Sequence, residues 1–302
     1  MKSQKKLMYL LMIFLMLTWG LEYIFAKQAL TVIKPLTLIF FKYLIGYIIV
    51  LIIKLKAEGK KFMKKRDIPI FLFCALFGEI GYFYFEYTAM EFLPVSIITI
   101  VLAFVPALSI LIDKAVFKKN ITRRMTIGIF FCIFGIILVM GVDYYSLFQG
   151  KIIGYMLAFS AVITWNLYNF LTASLHGRYE SATLTLNQMT CTLLMIWPYA
   201  IANLPSRETI TWEIIGGILF LGILGTGVGF IIMVRSLYIL GPTVSATFSN
   251  FLPVTTTLFG WLFLDEILSP MQLLGGSIVI AAGYIVIREK GRVEENTNGG
   301  TD

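Results

Sequence analysis

The sequence predicts an all-α integral membrane protein whose ten transmembrane helices form two five-helix repeats, the second inverted relative to the first. Three observations lead there. The chain's 302 residues are 58% hydrophobic and 14% charged, against about 25% charged in an ordinary globular domain, and the mean hydropathy is +0.84. Its apolar runs are about 17–25 residues long, the length that carries a helix across ~30 Å of hydrocarbon. Runs so continuous are not the alternating strands of a barrel. Third, the chain repeats itself. Thr18-Trp19-Gly20-Leu21 returns as Thr164-Trp165-Asn166-Leu167, and Thr37-Leu38 as Thr183-Leu184, at an offset of 146 residues. Pro106 returns as Pro253 and Gly128 as Gly275 at 147, so one inserted residue explains the slip. Five spans per copy require the second copy to sit upside down, the arrangement of carriers that alternate access around a midplane site.

In order, the first repeat (7–142) carries helices near 7–30, 35–53, 68–90, 95–112 and 125–142. The second (152–288) carries helices near 152–174, 182–202, 214–236, 243–264 and 271–288. The polar segment 289–302 reads as a disordered cytoplasmic tail. Lys2, Lys5 and Lys6 followed by Leu7–Leu17 imitate a signal peptide, but no small-residue cleavage pattern follows, so the segment is expected to be the first span. Lys and Arg number nineteen in the N-terminal tail, the even-numbered loops and the C-terminal tail, against three (Lys34, Lys151, Arg207) in the odd-numbered loops. Both termini are therefore expected in the cytoplasm, with the protein multi-pass in the inner or plasma membrane.

The net charge of +8 sits in short loops beside the spans, so it implies a lipid bilayer as partner and no nucleic acid. Cys74, Cys132 and Cys191 lie far apart inside apolar runs and read as packing residues, with no metal site or disulfide framework. No cofactor is expected. G-x-x-x-x-G-K-[ST], H-E-x-x-H and G-x-S-x-G are all absent, so neither ATP hydrolysis nor a familiar hydrolase is indicated.

Leu252-Pro253, the turn Leu264-Asp265-Glu266-Ile267-Leu268-Ser269-Pro270, Gly275-Gly276 and Gly283-Tyr284 occur in this order. Their first-half counterparts are Pro106, Lys118-Lys119-Asn120-Ile121-Thr122, Gly128 and Gly135, with lysine where the second turn is acidic. With Thr18-Trp19-Gly20 at the start and Lys42-Tyr43 in the second helix, the chain resembles a drug/metabolite transporter of the EamA type over residues 7–288. The resemblance implies a membrane transporter with a central cavity between its halves. It leaves the substrate open, since members handle amino acids, nucleotide-type compounds, drugs and other metabolites.

Ionisable residues at bilayer depth cost at least ~2.5–3.5 kcal/mol and mark candidate sites. Glu79 and Glu86, seven residues apart in the third span, are expected on one helical face together with Tyr82. Glu22 and Lys42 lie in the first two spans. Either Lys42 pairs with a carboxylate in a polar cavity, leaving another free for a proton or a cationic group, or it forms a static pair with Glu22 or Glu79. Opposite Lys42 stands Gln188, and opposite Glu79 stands Thr226, so the second half is expected to contribute neutral groups: Trp165, Tyr168, Asn169, Ser249 and Asn250. Pro106 and Pro253 remove a backbone hydrogen bond at matching positions and are candidate hinges. Gly225 and Gly229 form a small-xxx-small pair suited to close helix contact. Lys27, Arg235 and Asp113 read as interface anchors, and His176 as a solvated loop residue.

The expected function is secondary transport of small organic metabolites, amino-acid-like or drug-like and outward, with proton coupling open. A flippase for lipid or polyprenol-linked substrates is the competing reading. A membrane enzyme using Glu79 or Glu86 as base would want polar interfacial loops, and a channel would want rings of identical groups.

Overall fold

The computed structural model describes residues 2–58, 63–118, 121–140, 152–175, 177–240, 248 and 251–298. Ser249, Asn250 and His176 fall outside them. Every regular element among the described residues is helical. Large apolar side chains remain exposed around the bundle, among them Phe130, Met156, Leu194, Trp261 and Phe263, as a lipid-facing surface requires.

The helices follow the expected order. α1 spans Lys2–Leu30 and α2 Pro35–Ala57, where Pro35 at the first helical position costs no hydrogen bond. α3 is a continuous course of three pieces: Ile68–Cys74, a π-helical stretch Ala75–Tyr82, and Phe83–Ala89. α4 is divided into Val95–Leu102 and Val105–Phe117, and α5 spans Arg123–Met140. In the second half α6 is Ile152–Ser174 and α7 Ser181–Ala202. α8 again has three pieces: Trp212–Phe220, a π-helical stretch Leu221–Val228, and Gly229–Ile239. α9 is Leu252–Leu264 and α10 Pro270–Asn298. Six stretches among the described residues are long and apolar enough to cross a membrane: Gln4–Leu30, Pro35–Ala57, Lys65–Ala89, Val95–Ile112, Trp212–Met233 and Pro270–Val293. α5, α6 and α7, of 18, 23 and 22 residues, complete the bundle with the shorter apolar α9.

Two features carry the duplication into three dimensions. The π stretches Ala75–Tyr82 and Leu221–Val228 lie 146 residues apart, the offset of the sequence repeat. The packing also crosses between halves: α1 packs on α8 and α9, α6 on α3 and α4, α2 on α7 and α8, α7 on α2 and α3, and α5 on α10. Exchanging each helix with the one five places on returns the same pairs, so the pattern of contacts is the same for both halves, and each packs apolar faces against the other.

One expectation is corrected. α10 continues to Asn298, through ten residues of the segment read as a disordered tail. Glu289, 5% exposed, accepts from Arg292 one turn on (2.9 Å) and lies 3.7 Å from Arg124 of α5, which ties the extension down.

Candidate functional site

A cavity of about 450 Å³ opens between the halves. α1 contributes Trp19, Glu22, Tyr23 and Ala26; α3 contributes Tyr82, Phe83, Glu86 and Tyr87. α6 adds Trp165, Asn166 and Asn169, and α4, α8, α9 and α10 close the remaining sides. Pro106 and Pro253 both lie in its wall.

Lys42 sits behind this wall, completely buried. Its ammonium donates to Glu22 Oε1 at 3.1 Å and Tyr87 Oη at 2.9 Å, and lies 3.3 Å from the ring centre of Phe83. The partner is therefore Glu22, not Glu79. Removing 146 from the numbers of the second-half pair Tyr168–Gln188, whose hydroxyl-to-carbonyl bond is 3.1 Å, gives 22 and 42. One polar link is thus written twice, charged in the first half and neutral in the second.

Glu86 is 2% exposed and lines the cavity. Tyr23 and Tyr82 both donate to its Oε1, at 2.5 and 2.6 Å. Trp165 packs against the Tyr82 ring at 4.7 Å and the Tyr168 ring at 5.0 Å, joining α6 to this face.

Glu79 is elsewhere, contrary to the expectation of a shared face. It is 1% exposed and does not line the cavity. Thr192 of α7 donates to its Oε2, and its Oε1 has no hydrogen-bond partner among the described residues. The π stretch is the reason. Its i→i+5 bonding inserts an extra residue into the turn, rotating what precedes it by about 100°. Tyr82 and Glu86 stay on the cavity side, and Glu79 turns toward α7.

α8 explains how Glu22 reaches its place. A Cβ on Gly225 would lie 2.6 Å from Glu22 Oε2, and one on Gly229 2.9 Å from Trp19 Nε1. The bare backbone lets α1 approach until Trp19 donates to the Gly225 carbonyl at 3.1 Å.

The break in α4 fits its proline. α4 stops at Leu102 and resumes at Val105, because Pro106 cannot donate to the Leu102 carbonyl. The described part of α9 begins at Leu252, with Pro253 in its first turn.

A carboxylate outside the cavity lining ties α9 to α4 and α1. Asp265 ends α9 in the left-handed conformation (φ 54°), which Asp tolerates. That turn aims Glu266 at the N-terminus of α4. Its carboxylate accepts from Val95 N (2.9 Å), Ser96 N (3.2 Å) and Ser96 Oγ (2.8 Å), and from Lys27 of α1 (3.0 Å). Lys27, 31% exposed, is thus held by an ion pair near the end of α1. Ser109 lies thirteen residues along α4 from Ser96, roughly 20 Å at 1.5 Å per residue, and there meets Lys290 of α10 at 3.3 Å. On α2, Glu58 caps α7 through Ala182 N (2.9 Å), Thr183 N (2.7 Å) and Thr183 Oγ1 (2.8 Å). Nearby, Asp67 accepts from Arg178 (2.9 Å) and Tyr179 (2.7 Å). Burial, with Asp67 beside it, holds the Tyr179 hydroxyl above its ordinary range, so it stays a donor.

Of the expected site residues, the structure gathers Glu22, Tyr82, Glu86, Trp165 and Asn169 in the wall and leaves Lys42, Glu79 and Tyr168 behind it. Tyr23, Tyr87, Trp19 and Thr192 were missed. Tyr23 and Trp19 stand one and three residues from Glu22, and Trp19 opens the repeated motif, so proximity along α1 was the available signal. Among the described residues no group of three His, Cys, Asp or Glu is placed to hold a metal ion.

Comparison with known proteins agrees with this geometry. The model of the EamA-like transporter family matches residues 6–141 and 152–288. An uncharacterized transporter of Archaeoglobus fulgidus is 22% identical, the match covering 90% of this chain and 95% of that protein. The uncharacterized transporter YoaV of Bacillus subtilis is 20% identical, over 89% of this chain and 92% of YoaV. A solved structure described only as "Crystal structure of protein" has the same fold, with a TM-score of 0.66 and 16% identity over 92% of this chain and 96% of that one.

Proposed function

The chain belongs to the EamA-like transporter family, and from that premise we propose that it is a secondary carrier that moves small organic solutes, amino-acid-like or drug-like, out of the cell. The observation that supports this reading most is the cavity of about 450 Å³ with a buried carboxylate in its wall and side chains from both halves around it. Such a volume suits a small metabolite.

In this reading ten spans cross the plasma membrane, both termini are cytoplasmic, and the second five-helix repeat is inverted. The Glu266 end then faces outward, and the end marked by Ser109 and Lys290 faces the cytoplasm. With Glu266 capping α4 and holding Lys27, the outer ends of α1, α4 and α9 are tied together, which this reading takes as the closed state of that side. Transport exchanges this arrangement for its pseudo-symmetric counterpart, with α4 bending at the break beside Pro106 and α9 at Pro253. Lys42 holds Glu22 in place. Glu79, behind the wall with one bare carboxylate oxygen, is the coupling group that gains and loses a proton as α3 moves against α7.

Metabolite profiling tests the proposal. Cells overproducing the protein are compared with cells carrying Glu79→Gln or Lys42→Gln at equal expression, inside and outside, by mass spectrometry. One solute class is expected to move outward with the wild type and to stop with either variant. Movement that persists in both variants removes the assigned roles. An unchanged solute profile alongside altered leaflet distribution of a lipid-linked compound replaces the carrier reading with a flippase.

A further inference from the structure

We infer that the cavity selects organic cations, seating a protonated or quaternary amine against Glu86 and the apolar body that bears it against the surrounding rings. The inference rests on the carrier reading and narrows its substrate class.

It begins with a charge left over. Glu22 has its ammonium in Lys42. Glu86 has none: its two partners, Tyr23 and Tyr82, are neutral hydroxyls on the same oxygen, and Oε2 takes no hydrogen bond from a described residue. Lys42 bonds Glu22 and Tyr87 instead. Lys290 lines the far part of the cavity, against Ser109. A carboxylate held out of water without a cation is costly, so the space in front of Glu86 is electrostatically suited to a positive group.

The walls have the same preference. Trp19, Tyr23, Tyr82, Phe83, Trp165 and Phe230 line the same space, and ring faces attract ammonium groups while offering nothing to anions. The donors nearest Glu86 are already committed. The Tyr23 and Tyr82 hydroxyls serve Glu86, the Trp19 N–H serves the Gly225 carbonyl, and the Lys42 ammonium serves Glu22 and Tyr87. A substrate carboxylate at this spot meets no free donor among them and faces Glu86.

Four probes with a common ring and chain test the charge directly: phenethylamine, its trimethylammonium derivative, phenethyl alcohol and hydrocinnamate. Binding to the purified full-length protein is followed by the fluorescence of Trp19 and Trp165, which line the cavity. Both cations are expected to bind at least about tenfold more tightly than the alcohol and the anion. Glu86→Gln is expected to bring the cations down to the alcohol, with alcohol binding unchanged as the sign of an intact cavity. Alcohol or hydrocinnamate binding as tightly as the amines ends the inference, as does failure of all four to saturate. Retained cation preference in Glu86→Gln ends it too. If that variant does not fold, the wild-type charge series decides alone. Efflux of an anionic solute in the profiling experiment overturns this inference and leaves the carrier reading standing; the absence of any flux overturns the carrier reading itself.

Discussion

Replacing Lys42 by Met tests whether the buried ion pair is a coupled unit. Lys42 is completely buried and the Glu22 side chain is 12% exposed, so solvent screens little of their interaction. Lys42→Met fills the volume but leaves the Glu22 carboxylate facing only the bare backbone of α8 and the cavity. Removing one member of a buried pair costs about 3–5 kcal/mol, and the contact with the Phe83 ring (3.3 Å) is lost with it. Glu22→Gln strands the ammonium in turn, with Tyr87 as its remaining hydrogen-bond partner, and belongs in the same range. The double replacement removes both charges, so it is expected to recover about 2–3 kcal/mol of the summed loss. Thermal unfolding of the four proteins in one detergent reads this out. Each single variant is expected to melt on the order of 10 °C lower, and the double variant well above the sum of the two shifts. Additive shifts refute the reasoning, because they mean that the two charges do not depend on each other.

Three further outcomes follow from the geometry. Gly225→Ala places a methyl 2.6 Å from Glu22 Oε2 and is expected to cost about 1–3 kcal/mol by overpacking, with Gly216→Ala, where nothing lies within 4 Å, as the harmless control in the same melt. Glu266→Gln weakens the cap on α4 and the Lys27 pair and is expected to lower stability by about 1–2 kcal/mol; a larger loss from Lys27→Gln, the 31% exposed partner, contradicts that assignment. Cys74, Cys132 and Cys191 are all buried, so a maleimide is expected to label none of them in membranes and all three after denaturation, counted by intact mass.

Much of the framework is legible in the chain because it depends on pattern. Trp19 with Trp165 and Pro106 with Pro253 announce the duplication, and apolar runs place most helix ends to within about five residues, the end of α10 excepted. The site is legible only in part, since residue type identifies candidates but not their partners. Glu22 and Lys42 are conspicuous as charges in apolar runs, yet the choice of Glu22 over Glu79 depends on how closely α8 lets α1 approach. The π stretch Ala75–Tyr82 has no signature in composition, so the heptad spacing of Glu79 and Glu86 points to a shared face that does not exist. Tyr23 and Tyr87 resemble any aromatic residue of a membrane helix until their hydroxyls are found on Glu86 and Lys42. The run at 289–298 is polar by composition, but Arg124 and Arg292 on Glu289 help hold it in α10.

The paired π stretches also bear on mechanism. An inserted residue leaves helix bonding locally overstretched and easily re-registered, and α3 and α8 both carry one against the opposite half. Residues on either side can therefore rotate relative to each other without breaking the helix. In α3 this separates Glu86 in the cavity from Glu79 behind it, the two positions to which the proposed mechanism assigns substrate and proton.

The central claim is that solute passes through the cavity between the halves as its outer end opens and closes. Its most direct measurement is counterflow of the profiled solute in ATP-free proteoliposomes bearing the Lys27→Cys, Glu266→Cys pair, before and after a short, reducible bifunctional thiol reagent. The account predicts accumulation before cross-linking, loss of flux when the outer end is tied shut, and return of flux on reduction. Flux that continues through a fully cross-linked protein contradicts it.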